Sequence, residues 1–340
     1  MNPPTYCVGL DIAAEQCYAA VGTAPWKLRV PGTEFSNDQE GFQQFQQWLQ
    51  QHDCTPAQTI LCMEATGVYG EHLAAFLVSH EYRVAVEPPW KVKRAFTPSG
   101  PKTEAVDSQP LAEYACRYFD ELRVWQPPAE LLEQLQVLLT TREQRVQQST
   151  AQQNALKALR RKRVRTPFAE QVHDRRIAEL KSQIKALERE IRRLIEQEPP
   201  FRDLLTLLLT IPGVGRLLAT HLLSLTRFAT EPVAVPKLAA HLGLCPFERR
   251  SGKSLHQRLT SRHYGPRMPR KLLHLAARSL STHNDYFRAY FERKVAEGKP
   301  KSLVLNNIAN KLLKRMCAIL ESQQPYDPHY RSVQPTLKGS

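Results

Sequence analysis

Residues 5–35 read TYCVGLDIAAEQCYAAVGTAPWKLRVPGTEF. TYCVGLD is apolar and β-branched, QCYAAVG (16–22) alternates, and WKLRVPGTEF (26–35) follows a short break, so the stretch predicts three short strands in an antiparallel meander. After it, NDQEGFQQFQQWLQQ (37–51) repeats apolar residues at Phe42, Phe45, Trp48 and Leu49, a helical spacing with Ser36 or Asn37 as its N-cap. QTILCMEA (58–65) returns to strand, HLAAFLVSH (72–80) to helix and YRVAVE (82–87) to strand.

The resulting order, β-β-β-α-β-α-β, is that of an RNase H-like fold, and other α/β arrangements share it. Farther along, the pattern changes in kind. Ile177, Leu180, Ile184, Leu187, Ile191 and Leu194 are spaced 3-4-3-4-3, the seam of a coiled coil, and Leu132, Leu135, Leu139, Arg142 and Val146 outline a partner helix. LKALRRKRVR (156–165), with Thr166-Pro167 after it, falls at the reversal of the resulting helical hairpin. Pro199-Pro200 ends the hairpin and marks a boundary. The expected architecture is therefore α/β plus α: an RNase H-like domain over 1–128, a coiled-coil hairpin over 129–198, a mainly helical domain over 199–323 made of short helices, and a flexible tail over 324–340.

Length and composition bound the function classes. A chain of 340 residues suits about two domains, and 47 Lys and Arg against 33 Asp and Glu leave a net charge of +14, which favours nucleic acid over a membrane surface as partner. Seven cysteines without a CxxC pair argue against a disulfide framework or zinc ribbon and fit a reducing cytosol. His241 and Cys245 lie four apart with no second pair, so core packing is the expectation for both. The first 30 residues lack a secretory pattern, and the most apolar stretch, Leu204 to Val214, is far short of the roughly 18 residues of a membrane span, so the expectation is a cytoplasmic protein without a membrane partner.

Acidic residues stand at strand ends, where an α/β sheet faces its crevice. Asp11 closes the first strand and Glu64 a later one, and an RNase H-like order makes those strands neighbours. Glu104 and Asp107 in PKTEAVDSQPLAEYA (101–115) share one face at a helix start. Four carboxylates brought together repel one another unless cations lie among them, and an all-oxygen set suits Mg²⁺. Taken singly, each of the four also reads as a turn or cap residue.

VGLDIAAEQ (8–16), MEATGVYG (63–70) and KTEAVDSQPLAEYA (102–115), followed by LLTIPGVGRLLATHLLSL (208–225), LAAHLGLCPFERRSGK (238–253) and RLTSRHYGPRMPRKLLHLAARSL (258–280), resemble the DEDD transposases of bacterial insertion sequences, the one-ten and eleven-eleven group that includes Piv-like invertases. The resemblance runs over nearly the whole chain to about residue 320 and implies a RuvC-like domain, a coiled coil for subunit association and a C-terminal transposase domain. It places the metal-holding, catalytic tetrad on Asp11, Glu64, Glu104 and Asp107. The family motif usually reads KTDxxDA, so Glu104 keeps the charge of the third position on a side chain one methylene longer. It also implies that Ser251, in the RSG of CPFERRSGK, is the nucleophile, with Ser254 the nearest competitor. The family's site combines the tetrad of one subunit with the serine of another, acts on element ends and target DNA, and is guided by a structured bridge RNA.

Basic residues cluster in two places. Lys157, Arg160, Arg161, Lys162, Arg163 and Arg165 stand at the hairpin reversal, and Lys253, Arg258, Arg262, Arg267, Arg270 and Lys271 flank Ser251. The first group reads equally as a solvated hairpin end or as a phosphate contact, and the second suits backbone positioning better than base reading. IPGVG (211–215) is similar to the turn of a helix-hairpin-helix, and a Gly-rich tight turn reads equally well; Trp90 and Trp125 are candidates for base stacking or for packing. The expected function is a DNA recombinase working as a homodimer or homotetramer in the cytoplasm, on the nucleoid. Its rivals are a Piv-like site-specific invertase, a metal-only junction resolvase or nuclease, and a nucleic-acid-binding protein whose site has decayed.

Overall fold

Alternation sets the first element. In β1 (Tyr6–Ile12), Val8, Leu10 and Ile12 point to one face, whose core also holds residues of α1 and α2, and Cys7 points to the other, so the strand is buried on both sides. In the computed structural model of the chain, residues 3–65, 67–96, 104–227, 234–247, 250–251, 255–256, 260–261 and 265–328 are described. They divide into two compact units, Met1–Pro128 and Ala129–Ser340.

The first unit is a five-stranded mixed sheet. β2 (Gln16–Thr23) and β3 (Lys27–Ser36) continue β1 as an antiparallel meander, while β4 (Thr59–Glu64) and β5 (Arg83–Glu87) add in parallel on its other side, giving the order β3-β2-β1-β4-β5. This is the RNase H-like topology. α1 (Gln39–Gln51) and α2 (Glu71–Ser79) contribute Phe42, Phe45, Leu49, Leu73 and Leu77 to the core on one face. On the other lies α4 (Glu104–Arg117), whose Leu111, Tyr114 and Ala115 pack with Cys7, Ile60 and Cys62.

Two details differ from expectation. The cap of α1 is Asp38, whose carboxylate accepts from Gly41 N at 2.8 Å and from Ser36 Oγ at 2.9 Å, because the helix begins at Gln39, one residue later than an Asn37 cap requires. A short helix, α3 (Pro89–Ala95), also follows β5, opened by a proline that pre-sets the first helical φ.

The second unit begins with an antiparallel hairpin of two 30-residue helices, α5 (Glu130–Leu159) and α6 (Pro167–Glu196). Of the anticipated seam, Leu132, Leu135, Leu139, Ile177, Leu180, Ile191 and Leu194 are buried, and Ile184, Leu187 and Val146 are half-buried. Pro199 and Pro200 open α7 (Pro199–Leu209), and the core runs on across them: Ile191, Leu194 and Ile195 join the same cluster as Phe201, Leu205 and Leu208. α8 (Arg216–Leu225), α9 (Val235–His241), α10 (Arg267–His283), α11 (Asp285–Ala296) and α12 (Lys301–Ser322) follow among the described residues, the last being 22 residues long and thus not short. Four two-residue strands, β6 (Pro246–Phe247), β7 (Arg250–Ser251), β8 (Leu255–His256) and β9 (Thr260–Ser261), pair as β6 with β9 and β7 with β8.

The turn between α7 and α8 needs its glycine. Gly213 has φ +83°, and a Cβ there would meet Leu280 Cγ of α10 at 2.7 Å. Residues 324–328, read as the start of a tail, are anchored instead, with Tyr326 N donating to Thr210 Oγ1 at 2.9 Å while its ring lies under Arg315. Residues 329–340 of that tail lie outside the described residues. Among the described residues no helix is long and apolar enough to cross a membrane.

Candidate active site

Strand register brings two of the four acidic residues together. β1 and β4 pair in parallel with Leu10 opposite Met63, so the next step of the ladder sets Asp11 beside Glu64. Face follows from the pleat: Cys7 in β1, with Ile60 and Cys62 in β4, joins the core under α4, and Asp11 and Glu64 continue those rows toward the same face. Both are half-buried, and Asp11 is engaged with a partner. Asp107 lies in the first turn of α4, the helix that covers this face, and is exposed. Glu104 opens α4, and its side chain lies outside the described residues.

The approach of α4 to the sheet is close because Gly9 lacks a side chain. A Cβ at Gly9 would stand 2.0 Å from Ser108 O and 2.2 Å from Ala112 N. On the far side of the edge, Asn37 Nδ2 donates to Ala13 O at 2.9 Å and Tyr69 O at 3.1 Å, tying the loop after β1 to the turn after β4.

One acid on this face escaped the sequence reading. Glu87 ends β5 opposite Glu64, on the same face by the same alternation, and is only 4% exposed. Its charge is met by Lys91 of α3, with Nζ to Oε2 at 2.9 Å, and the hydrogen bond to Glu87 is the main cause that raises the Lys91 pKa. Tyr114 of α4 also hydrogen-bonds Lys91. The signal was present in YRVAVE, a buried strand ending on an acid as QTILCME does. Nearby, Val68, Tyr69 and Trp90 are exposed in the segments after β4 and β5, so Trp90 does not pack, whereas Trp125 packs against the core.

Every candidate ligand on this edge is a carboxylate, and Cys62 is buried with its thiol pKa pushed up by desolvation, so the donor chemistry fits a hard divalent cation and not a thiophilic metal. Among the described residues, no three His, Cys, Asp or Glu side chains are grouped closely enough to hold a metal.

In the second unit, Ser251 pairs with Leu255 across the β7–β8 ladder, and its side chain lies outside the described residues. Lys253, Arg258 and Arg262 lie outside them entirely. Arg267 and Lys271 are exposed in the first turns of α10, and Arg270, half-buried, is engaged with a neighbour. At the hairpin tip the six basic residues divide. Arg165 Nε donates to Glu170 Oε1 at 2.5 Å, and Arg160 reaches Glu170 at 3.3 Å and Asp174 at 2.9 Å. Lys157, Arg161, Lys162 and Arg163 are exposed with no ion pair among the described residues. His241 is exposed at the end of α9 instead of lying in the core.

Two family models and several known proteins are similar to the chain. A model for DEDD transposases of the IS110 type matches residues 8–162, and a model described as transposase of the IS116/IS110/IS902 family matches residues 205–292. Pilin gene-inverting proteins of Moraxella bovis and Moraxella lacunata are each 28% identical over 326 residues, covering 94% of this chain and 97% of theirs. An uncharacterized 43.6 kDa protein of insertion element IS110 from Streptomyces coelicolor is 30% identical over 145 residues, 43% of this chain and 35% of that protein. A solved structure of T. thermophilus RuvC in complex with a Holliday junction substrate aligns with 36% of this chain and 99% of its own, at 9% identity and a TM-score of 0.28. With both of its halves matched in order, the chain belongs to the IS110 family of DEDD transposases.

Proposed function

We propose that this transposase cuts and rejoins DNA through a transient phosphoserine link at Ser251, with Mg²⁺ held by Asp11, Glu64, Glu104 and Asp107 and a structured guide RNA selecting the sites. The observation that carries the reading is the parallel register of β1 and β4, in which Asp11 and Glu64 are neighbours on the face covered by α4, the helix that bears the other two acids. Mg²⁺ held there supplies Lewis acidity toward a phosphodiester oxygen. The chain's own part is a substitution at phosphorus. Ser251 Oγ bonds to phosphorus as the bond to a DNA oxygen breaks, Oγ gives up its proton, and the departing DNA hydroxyl takes one up. Attack by a second DNA hydroxyl reverses the step, frees the serine and joins the strands.

The basic tip of the hairpin and the start of α10 hold nucleic acid by its phosphates, and the half-buried middle of the hairpin seam suits association of two or four copies in the cytoplasm, on nucleoid DNA. A second reading, a Piv-like site-specific invertase with the same chemistry, is favoured by the near full-length likeness to the Moraxella proteins. Sequencing the DNA flanking the gene separates the two: element ends and a structured noncoding stretch mark an insertion sequence, inverted repeats around a reversible segment an invertase.

The chemistry is tested by substitution. Asp11→Ala and Ser251→Ala should each abolish recombination in a strand-transfer assay with Mg²⁺, and Ser251→Ala should also eliminate the covalent protein–DNA adduct while leaving RNA binding intact. Recombination by Ser251→Ala at the normal rate would sink the assignment.

A further inference from the structure

A cleft of about 280 Å³ opens in the second unit between α5, α8 and the start of α10. It lies just below the range of roughly 300–1,000 Å³ typical of small-molecule sites, room for one ring system and little more. Leu139, Leu225 and Met268 supply apolar walls, and His221, Ser224 and Gln136 supply hydrogen-bonding groups. Ser224 is the informative one. On either side of it, Thr220 and Thr226 return their hydroxyls to the carbonyls of Arg216 and Leu222 at 2.9 and 3.0 Å. Ser224, only 7% exposed and lining the cleft, has no hydrogen-bond partner among the described residues. Its hydroxyl opens on the cleft, where whatever enters, water or ligand, can meet it.

The chemistry of the lining selects the ligand. A phosphate is poorly served: Glu143 contributes a carboxylate to the wall, and Pro266 and Pro269 remove N–H donors from the start of α10. His221 is uncharged at neutral pH, since burial, with Arg142 nearby, pulls its pKa down to about 4. What remains is apolar walls with neutral donors and acceptors, the combination that takes a flat heteroaromatic ring by its edge. Arg267 at the rim, with Lys271 in the next turn of α10, suits the phosphates to either side of such a ring.

We infer that this cleft receives one unstacked base of the nucleic acid the protein handles, an inference that rests on the nucleic-acid reading above. The cleft belongs to the helical unit and fixes the register of a strand instead of cutting it. Fluorescence tests it. Full-length protein is titrated at low salt with single-stranded oligonucleotides carrying 2-aminopurine at successive positions, and with an abasic strand of equal length.

Emission should rise severalfold at one position as that base leaves the stack. Thr140→Phe, which plugs the mouth from an exposed helix position, should remove the rise and weaken binding about tenfold while leaving the abasic strand's affinity unchanged. Ser224→Ala, which keeps the fold and the volume, should weaken only the base-containing strand, by a few-fold. Tight binding with flat emission at every position overturns the inference, as does a Thr140→Phe protein whose oligomeric state changes while its binding does not, the sign that a side chain of a second copy fills the cleft. Failure to bind either strand overturns the nucleic-acid reading together with the inference.

Discussion

Glu87 is a carboxylate at the end of a buried strand, and Lys91, four residues on, is the cation that makes it tolerable. Removing one partner of a fully buried pair typically costs 3–5 kcal/mol because the other charge is left desolvated. The Lys91 side chain is 34% exposed, so water takes over part of its role. Lys91→Met is therefore expected to lose about 2 kcal/mol in urea unfolding at pH 7.5. Glu87→Gln should lose less, because its amide needs no counter-charge; equal losses would refute the pairing. His221 titrates in the opposite sense to a histidine that has gained an acidic partner. Its pKa falls from 6.5 to about 4 through burial first and Arg142 second, with Glu143 and Arg267 also lining its cleft. Between those two values the unfolded chain binds a proton that the folded chain refuses, so its share of stability is complete above pH 6.5 and declines as the pH drops toward 4. The urea midpoint should fall further between pH 7.5 and pH 5 in the wild type than in His221→Gln, and parallel curves would remove the claim.

At the scale of elements, α4 against β1 decides the geometry of the acidic edge. A methyl group at Gly9 meets backbone atoms, Ser108 O and Ala112 N, which cannot swing aside as a side chain can. Gly9→Ala should push α4 from the sheet at a cost of about 3 kcal/mol, the upper part of the overpacking range, and carry Asp107 with it. Strand cleavage by the folded variant at permissive temperature should drop more than its melting curve accounts for; a large stability loss with full cleavage would show that α4 does not set the edge. The strands were legible as short apolar, β-branched runs set off by turn residues; β1 and β4 are buried along nearly their whole length, as strands covered on both faces are. Asp11 and Glu64 were legible as strand-terminal acids. Glu87 was not, because a charge at a strand end looks solvated until the fold covers it with α3 and α4. α3 itself hides behind Pro88-Pro89, which reads as a break and instead starts a helix. The division of the basic tip was equally hidden, since Glu170 and Asp174 meet Arg160 and Arg165 only once the hairpin closes.

Across the whole molecule the charge is strongly divided. Residues 1–128 carry 9 Lys and Arg against 15 Asp and Glu, net −6, and residues 129–340 carry 38 against 18, net +20. The excess of +14 thus belongs to the helical unit, and the unit with the acidic edge repels phosphate on its own. Binding should accordingly be driven by phosphate contacts from the helical unit, with a steep dependence on salt. The hairpin tip is where this can be measured, because its charges have two fates. The hydrogen bond from Arg165 lowers the Glu170 pKa and ties the turn, whereas Lys162 and Arg163 have no ion pair among the described residues. Each phosphate contact contributes about 0.9 to the slope of log affinity against log salt on duplex DNA. Replacing Lys162 and Arg163 together by Ala should reduce the slope by about 2 and leave thermal unfolding unchanged. Arg165→Ala should do the reverse, lowering the melting temperature with little change in slope. If the double variant keeps the wild-type slope, the tip does not touch the duplex, and the salt dependence belongs instead to the basic residues around α10.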